Sequence, residues 1–291
     1  MTRESRGTLY LEDARVIKQT AYDGDQFVLR LAAPGCASRA QPGSFVHLTC
    51  DAAIPMRRPL SLMRADPTAG WVEVLYKVLG PGLHALAARK AGDTVSIIGP
   101  IGKPFTVHPE RPRAVLIGGG VGIPPMVFLA DRLRAEPPGR YKPLVLMGSE
   151  IPFPFRARPS AIVVAGMPAA TIACMPLLEE WGIASRLASR AGFPGCYEGF
   201  VTALADEWLR TLAAPQLAEV ELFACGPTPM LQAAAAVARR HGVPCQASLE
   251  EFMACAVGGC AGCTVLVRTP DGDAMKRVCV DGPVFDALTV F

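Results

Sequence analysis

The stretch "RAVLIGGGVGIPPM", residues 113–126, decides how this chain is read. Its first half is an unbroken apolar run, the pattern of a strand buried on both faces. Glycines then turn the chain, and Pro124 and Pro125 suit the first turn of a helix, where a missing amide donor does no harm. Strand, glycine turn and helix in that order present backbone amides and a positive helix end to a pyrophosphate. Gly118, Gly119, Gly120 and Gly122 are therefore candidates for holding a dinucleotide. The string is not a strict GxGxxG, so a tight structural turn is the alternative.

Working outward, "KPLVLMGS", "AIVVAG" and "EVELFACG" read as further strands, alternating with helices such as the Ala-rich "MLQAAAAVARRHG". The alternation predicts a parallel, doubly wound sheet across residues 110–242. A second turn, "FACGPTPML", has Cys225 ending a strand, Gly226 and Pro227 turning the chain, and Thr228 placed to cap a helix starting near Pro229. Alone, Cys225 reads as a buried thiol. At the carboxyl end of a parallel strand, on the edge that carries Gly118 to Gly122, it stands where such sheets bind ligands.

Upstream, residues 1–109 show short alternating runs separated by turn residues: "TLYLEDARVIKQ", "DQFVLRLAA", "SFVHLTC", "WVEVLYKVL" and "DTVSIIGP". Only "GLHALAARKAG" looks helical, and the whole predicts an antiparallel barrel. Within it, "MRRPLSL" (residues 56–62) puts an arginine, a proline and a serine at the end of a strand. A guanidinium and a hydroxyl there suit a phosphate and a flavin edge, although a surface arginine pair and a strand serine read equally well in isolation.

Downstream, residues 243–291 form a third, smaller segment rich in Cys and Gly. The spacing Cys255-x4-Cys260-x2-Cys263, with Cys279 more distant, matches the plant-type arrangement for a [2Fe-2S] cluster. Gly258, Gly259 and Gly262 are expected to permit positive φ or tight approach around it. A structural zinc site is the alternative, but zinc knuckles pair two C-x2-C units and only one is present. Cys36, Cys50, Cys174, Cys196 and Cys245 stand alone and read as small buried apolar residues.

The chain as a whole has 291 residues, 28 glycines, 27 prolines, ten cysteines and a formal charge of +3. The charge is small and scattered, so no footprint for nucleic acid is expected. The opening residues are charged, which argues against a secretory signal. The longest uncharged run, residues 159–178, is broken by Pro168, Pro176 and Gly166, which argues against a membrane span. Ten cysteines are then expected in a reducing compartment, the cytoplasm.

A barrel with "RPLS", then "GGGVGIPPM", then "CGPTPML" resembles the ferredoxin-NADP reductase superfamily. The tail, "CQASLEEFMACAVGGCAGC" and "RVCVDGPVFDA", resembles the electron-transfer subunits of class 1B dihydroorotate dehydrogenases, from residue 9 to residue 291. The resemblance implies an α+β multidomain chain: an antiparallel β-barrel FAD domain, an α/β parallel-sheet NAD-binding domain and a small [2Fe-2S] domain. It implies FAD at Arg58, Pro59, Leu60 and Ser61, at Leu75, Tyr76 and Lys77, and at Gly82 and Leu83. Many relatives carry Gly-Thr at this last pair, and Leu83 lacks the hydroxyl. NAD(H) is implied at the glycine turn, Gly226 and Pro227, with Cys225 near the reacting ring as the catalytic residue, and the cluster at the four grouped cysteines. Where relatives often read "ACGIGAC", this chain reads "ACAVGGC".

A nicotinamide exchanges two electrons at once and a cluster one, so a flavin between them is expected and no acid-base constellation is needed. The implied partner is an FMN-containing dihydroorotate dehydrogenase catalytic subunit, two copies with two of this chain. A reductase for another acceptor, such as an oxygenase, a ferredoxin or a sulfur-reducing partner, shares every motif but the tail. Glu150, past the strand "PLVLMGS", would favour NAD over NADP, while Arg156 and Arg158 would do the opposite.

Overall fold

In a computed structural model, which describes residues 9–291, the alternation of the first segment becomes a closed barrel. Its strands are β1 (Tyr10–Tyr22), β2 (Gln26–Ala32), β3 (Phe45–Leu48), β4 (Arg58–Asp66), β5 (Trp71–Lys77) and β6 (Thr94–Ile101). They close in the order β1-β2-β5-β4-β3-β6, every pair antiparallel. Every second side chain points inward: Val16, Leu31, Val46, Leu48, Leu62, Val74 and Ile97 fill the interior. Helix α1 (Pro34–Arg39), absent from the sequence reading, is held because Glu12 accepts from the Gly35 and Cys36 amides at 2.9 and 2.7 Å. Helix α2 (Gly80–Ala87) is secured by Gln19, which donates to the carbonyls of Leu86, Ala87 and Arg89. The first eight residues, on which the expectation of no secretory signal rests, lie outside the described residues.

Beyond the barrel come β7 (Arg113–Gly119), α3 (Ile123–Arg134) and β8 (Leu144–Gly148), then the two-residue pair β9 (Arg158–Pro159) and β10 (Ala173–Cys174). There follow α4 (Pro176–Glu180), β11 (Ala184–Ser189), β12 (Tyr197–Glu198), α5 (Val201–Leu209), α6 (Ala214–Ala218), β13 (Val220–Cys225), α7 (Thr228–His241) and β14 (Cys245–Ser248). The tail adds the hairpin β15 (Thr264–Thr269) and β16 (Gly272–Arg277), then β17 (Val284–Asp286) and α8 (Ala287–Val290). The main sheet runs β12-β11-β8-β7-β13-β14-β17, parallel except for β17. It therefore continues past Gly242, where the sequence reading ended it.

"AIVVAG" is not a strand. It forms irregular chain and a turn, with Val163 89% exposed and Gly166 at φ +81°. Its place beside β8 goes to β11, whose polar residues hid it. Ser185 and Arg186 are buried there because Ser185 Oγ accepts from the Met175 amide and Arg186 donates to the carbonyls of Ser185 and Ile162, both at 2.7 Å. Arg186 thus ties the misread segment down as a strap. No helix among the described residues is long and apolar enough to cross a membrane.

The three segments share cores. Phe128 of α3 enters the barrel cluster, while Met63, Leu75 and Phe105 join the cluster on one face of the sheet. Cys263, Val278, Cys279 and Met253 pack in one cluster with Ala234 of α7 and Leu222 of β13. The tail does not build a core of its own, as expected for so few residues.

Candidate functional site

Strands β7 and β13 lie side by side with Gly118 opposite Cys225, so the two turns read from the sequence meet at the carboxyl edge of the sheet. Strand order reverses there, β8 lying on one side of β7 and β13 on the other, and such a switch point opens a crevice. Gly122 packs on the backbone of Cys225 and Gly226, which leaves no room for a side chain, and Gly119 lies against the thioether of Met230. Gly120, at φ +54°, has open space beside it. Helices α3 and α7 both begin at this edge. Thr228 does not cap α7: it is the first helical residue, Pro227 is the cap, and no side chain closes the end.

Cys225 is 1% exposed, and burial first, then the Glu250 charge, pushes its thiol well up, against a hydrogen bond with Ser248. Ser248 stands opposite Cys225 on β14. Glu250 is exposed, and the protein packed around its carboxyl raises it. Sequence reasoning missed Ser248 and Glu250; their signal was the strand "CQAS", whose carboxyl end falls on the same edge. Glu150 is paired with Arg190 at 3.2 Å and Arg158 with Glu180 at 3.8 Å.

Arg58, Pro59, Leu60 and Ser61 are the first four residues of β4, at its start and not its finish. The Arg58 guanidinium stands over the first turn of α2, 3.1 to 3.2 Å from where a Cβ on Gly82 would be. Arg58 Nη1 donates to the Met56 carbonyl at 2.7 Å, which fixes the side chain. An arginine fork at a helix N-terminus is a fit cradle for a pyrophosphate. Leu83 is buried in the barrel core, so its side chain is turned away from any ligand at this helix end. Leu75 and Tyr76 are also buried. Tyr76 donates to Gln19 at 2.9 Å and stacks on Phe27, so only its main chain is left for a ligand. Lys77 is half-buried at the end of β5. The Gly120–Gly122 turn lies against β5 and α3 against β4, which brings the two candidate sites together.

The grouped cysteines form two pairs. Cys263 and Cys279 Sγ are 3.4 Å apart and buried; Cys255 and Cys260, the latter exposed, are neighbours hydrogen-bonded to each other. Backbone amides aim at the sulfurs: Cys260 N to Cys255 and Gly262 N to Cys260, each at 3.4 Å. Burial would raise the Cys255 thiol, but the amides of Cys260, Val257 and Gly259 outweigh it and hold it at about 6. Burial, then Cys263, pushes Cys279 up to about 12. Two sulfur pairs with converging amides suit a two-iron cluster. Zinc bound by all four would need one tetrahedron, whereas these sulfurs stand as two pairs.

Of the three glycines expected to shape this loop, only Gly258 is required to be one, at φ +85° with Val280 filling the side-chain position. Gly259 and Gly262 have ordinary φ and room to spare. Positive φ falls on Ala256 (+56°) and Ala261 (+54°) instead.

Residues 250–291 match the family model "Iron-sulfur cluster binding domain of dihydroorotate dehydrogenase B". The chain is 33% identical over 288 residues to the dihydroorotate dehydrogenase B (NAD(+)) electron transfer subunit of Bacillus caldolyticus, covering 97% of each. It is 31% identical to that of Caldanaerobacter subterraneus subsp. tengcongensis, covering 87% of each. Among solved structures it resembles a chain of an NADH-dependent reduced ferredoxin-NADP oxidoreductase, with a TM-score of 0.76 and 26% identity over 96% of this chain and 90% of that one. With the barrel, the switch-point edge and the paired cysteines in place, these likenesses show that the chain belongs to the family of dihydroorotate dehydrogenase B electron transfer subunits.

Proposed function

We propose that this chain moves electrons between NAD(H), FAD and a [2Fe-2S] cluster, coupled to a dihydroorotate-oxidising, FMN-containing catalytic subunit in pyrimidine biosynthesis. The observation that carries the reading is that one thiol pair, Cys263 and Cys279, packs in the core of the same sheet whose carboxyl edge bears both ligand turns, with Cys255 and Cys260 paired in the loop before it. Flavin, when bound, exchanges either a hydride's two electrons or one electron at a time, the chemistry a nicotinamide-to-cluster link needs.

The chain's own residues then have plain tasks. Arg58 and the first turn of α2 hold a pyrophosphate, with Pro59, Leu60, Ser61 and the β5 end from Leu75 to Lys77 against the flavin. Gly118, Gly119, Gly120, Gly122, Gly226 and Pro227 let the nicotinamide dinucleotide approach the backbone. Cys225, protonated and held by Ser248, packs beside the reacting ring. Cys255, Cys260, Cys263 and Cys279 hold the cluster. No residue has to move a proton for any of this.

The catalytic partner supplies the dihydroorotate site, in an assembly of two catalytic and two electron transfer subunits. Phe252, 96% exposed, and Val257 stand beside the cluster loop and support a docked partner there. We place the complex in the cytoplasm, where six lone thiols and a four-cysteine ligand set persist. A second reading, a NAD(P)H reductase component for another acceptor, is favoured by the likeness to the ferredoxin-NADP oxidoreductase chain.

Co-expression with an FMN-containing dihydroorotate-oxidising protein tests the choice. Dihydroorotate-dependent NAD+ reduction that requires this chain supports the first reading. Absence of a complex, together with NADH-dependent reduction of a ferredoxin, supports the second.

A further inference from the structure

The chain passes from the barrel to the sheet through residues 102–112, which form neither helix nor strand. Such a connection has no ladder of its own, so its main-chain groups need partners elsewhere or water. Its amides find them on different parts of the molecule. Lys103 N donates to the Gly282 carbonyl of the tail at 2.6 Å, and Phe105 N to the Pro42 carbonyl of the barrel at 2.9 Å. Thr106 N donates to Gln246 Oε1, on β14 of the sheet, at 3.0 Å. Phe105 also meets Phe223 of β13 edge to face, with ring centroids 5.7 Å apart.

Gln246 does more than receive that amide. Its Nε2 donates back to the Thr106 carbonyl and also to Glu221 Oε1, the latter at 2.7 Å. Glu221 is 1% exposed, and His108 Nδ1, again from the linker, lies 2.9 Å from its other oxygen. Both amide protons of Gln246 and its oxygen are thus engaged. Turning the amide over would set Oε1 against the Glu221 carboxylate, so its orientation is fixed. Thr106 is exposed, so water could serve its amide and carbonyl instead. Ordering a glutamine side chain costs rotamer freedom, and what the pair adds over water is a fixed register between β14 and the linker.

That register matters because of what lies at each end. Ser248, two residues past Gln246 on β14, stands opposite Cys225 at the carboxyl edge of the sheet. The linker itself runs straight out of β6 of the barrel. We infer that Gln246 is a positioning residue: its two-way hydrogen bond with Thr106, backed by Glu221 and His108, fixes the barrel against the carboxyl edge of the sheet and so sets the approach of nicotinamide to flavin. The consequence for hydride transfer rests on the proposed function; the clasp itself does not. Reacting atoms must come within about 3–3.5 Å, and a misplacement of about 1 Å can slow a step about 100-fold. A loosened clasp would slow the transfer without touching a residue assigned to either cofactor.

The test compares the full chain carrying flavin and cluster with its Gln246→Leu variant. Hydrogen exchange is followed across residues 103–109, and flavin reduction by NADH is followed by stopped flow over a range of NADH concentrations. Gln246→Leu is expected to speed exchange in the linker about tenfold, since Thr106 N loses its acceptor. It is expected to slow the limiting rate of flavin reduction roughly tenfold while NADH affinity and flavin content stay those of the parent. A merely structural residue would lower stability and cofactor content and leave the rate of the loaded fraction alone. Unchanged exchange would overturn the clasp, and faster exchange with the parent's limiting rate would overturn the positioning role. If the leucine variant does not fold, the same comparison is made with Gln246→Asn, whose shorter arm cannot reach Thr106 and Glu221 together. A parent chain whose flavin NADH does not reduce would defeat the functional reading, while exchange at 103–109 would still decide the clasp.

Discussion

Gly122 lies directly on the carbonyl of Cys225: a Cβ at Gly122 would overlap that oxygen and the Gly226 amide. The neighbour is the backbone of a buried strand end and cannot turn aside, so Gly122→Ala must part the two turns. The expected cost is about 1–3 kcal/mol of stability. NADH should bind roughly tenfold or more weakly while the FAD content is unchanged. Equal NADH affinity in a titration of the variant would show that the two turns do not form one site.

Arg58 is held over Gly82 by the Met56 carbonyl, leaving the rest of its fork free. Arg58→Ala should weaken FAD binding roughly 10- to 100-fold, since a charge-assisted hydrogen bond contributes about 1.5–3 kcal/mol. Arg58→Lys should recover only part, having lost the planar fork. The flavin-to-protein ratio after gel filtration reads this out, and cluster absorption should be the same in all three proteins.

Ala256 occupies a left-handed conformation (φ +56°) next to Cys255. A Cβ there costs about 1 kcal/mol relative to glycine. Glycine would relieve that strain but remove a methyl buried in the core and loosen the unfolded chain, so Ala256→Gly should change the stability of the loaded protein by less than about 1 kcal/mol and leave the cluster's lifetime in air near that of the parent. Faster bleaching in the variant would contradict this.

The barrel was legible because its strands alternate cleanly, and the glycine turn because a buried strand must end somewhere. β11 was not, because Ser185 and Arg186 are polar residues satisfied only by partners distant in sequence, Met175 and Ile162. Conversely "AIVVAG" has a strand's composition but lies exposed at Val163, tertiary context overriding local propensity. Cysteine spacing singled out the four candidate ligands, yet two of the loop's positive φ values fell on alanines that composition does not mark. Glu250 became visible only when β14 was placed beside β13, because its neighbour Cys225 is 25 residues away in the chain.

Buried thiols outside the cluster make the fold sensitive to alkali. Burial, then Glu12, pushes Cys36 up to about 12; burial, then Asp286 and Glu221, does the same to Cys245; and Cys225 is raised as well. Unfolded thiols release their protons near 9 while the folded ones keep theirs, so the unfolded state binds fewer protons above that pH. Stability should fall as pH rises through 9, by up to about 1.4 kcal/mol per pH unit per thiol, and stay level in this respect below pH 8. Denaturant melts between pH 8 and 10.5 measure the slope. Cys36→Ala should make it shallower, and an unaltered slope would show that Cys36 titrates normally.

The most direct test of the whole account is an anaerobic visible spectrum of the purified chain before and after addition of NADH. The account predicts flavin bands over broad cluster absorption, and loss of both on reduction. Flavin bleaching with no cluster absorption, or two cofactors that do not respond to NADH, would contradict it.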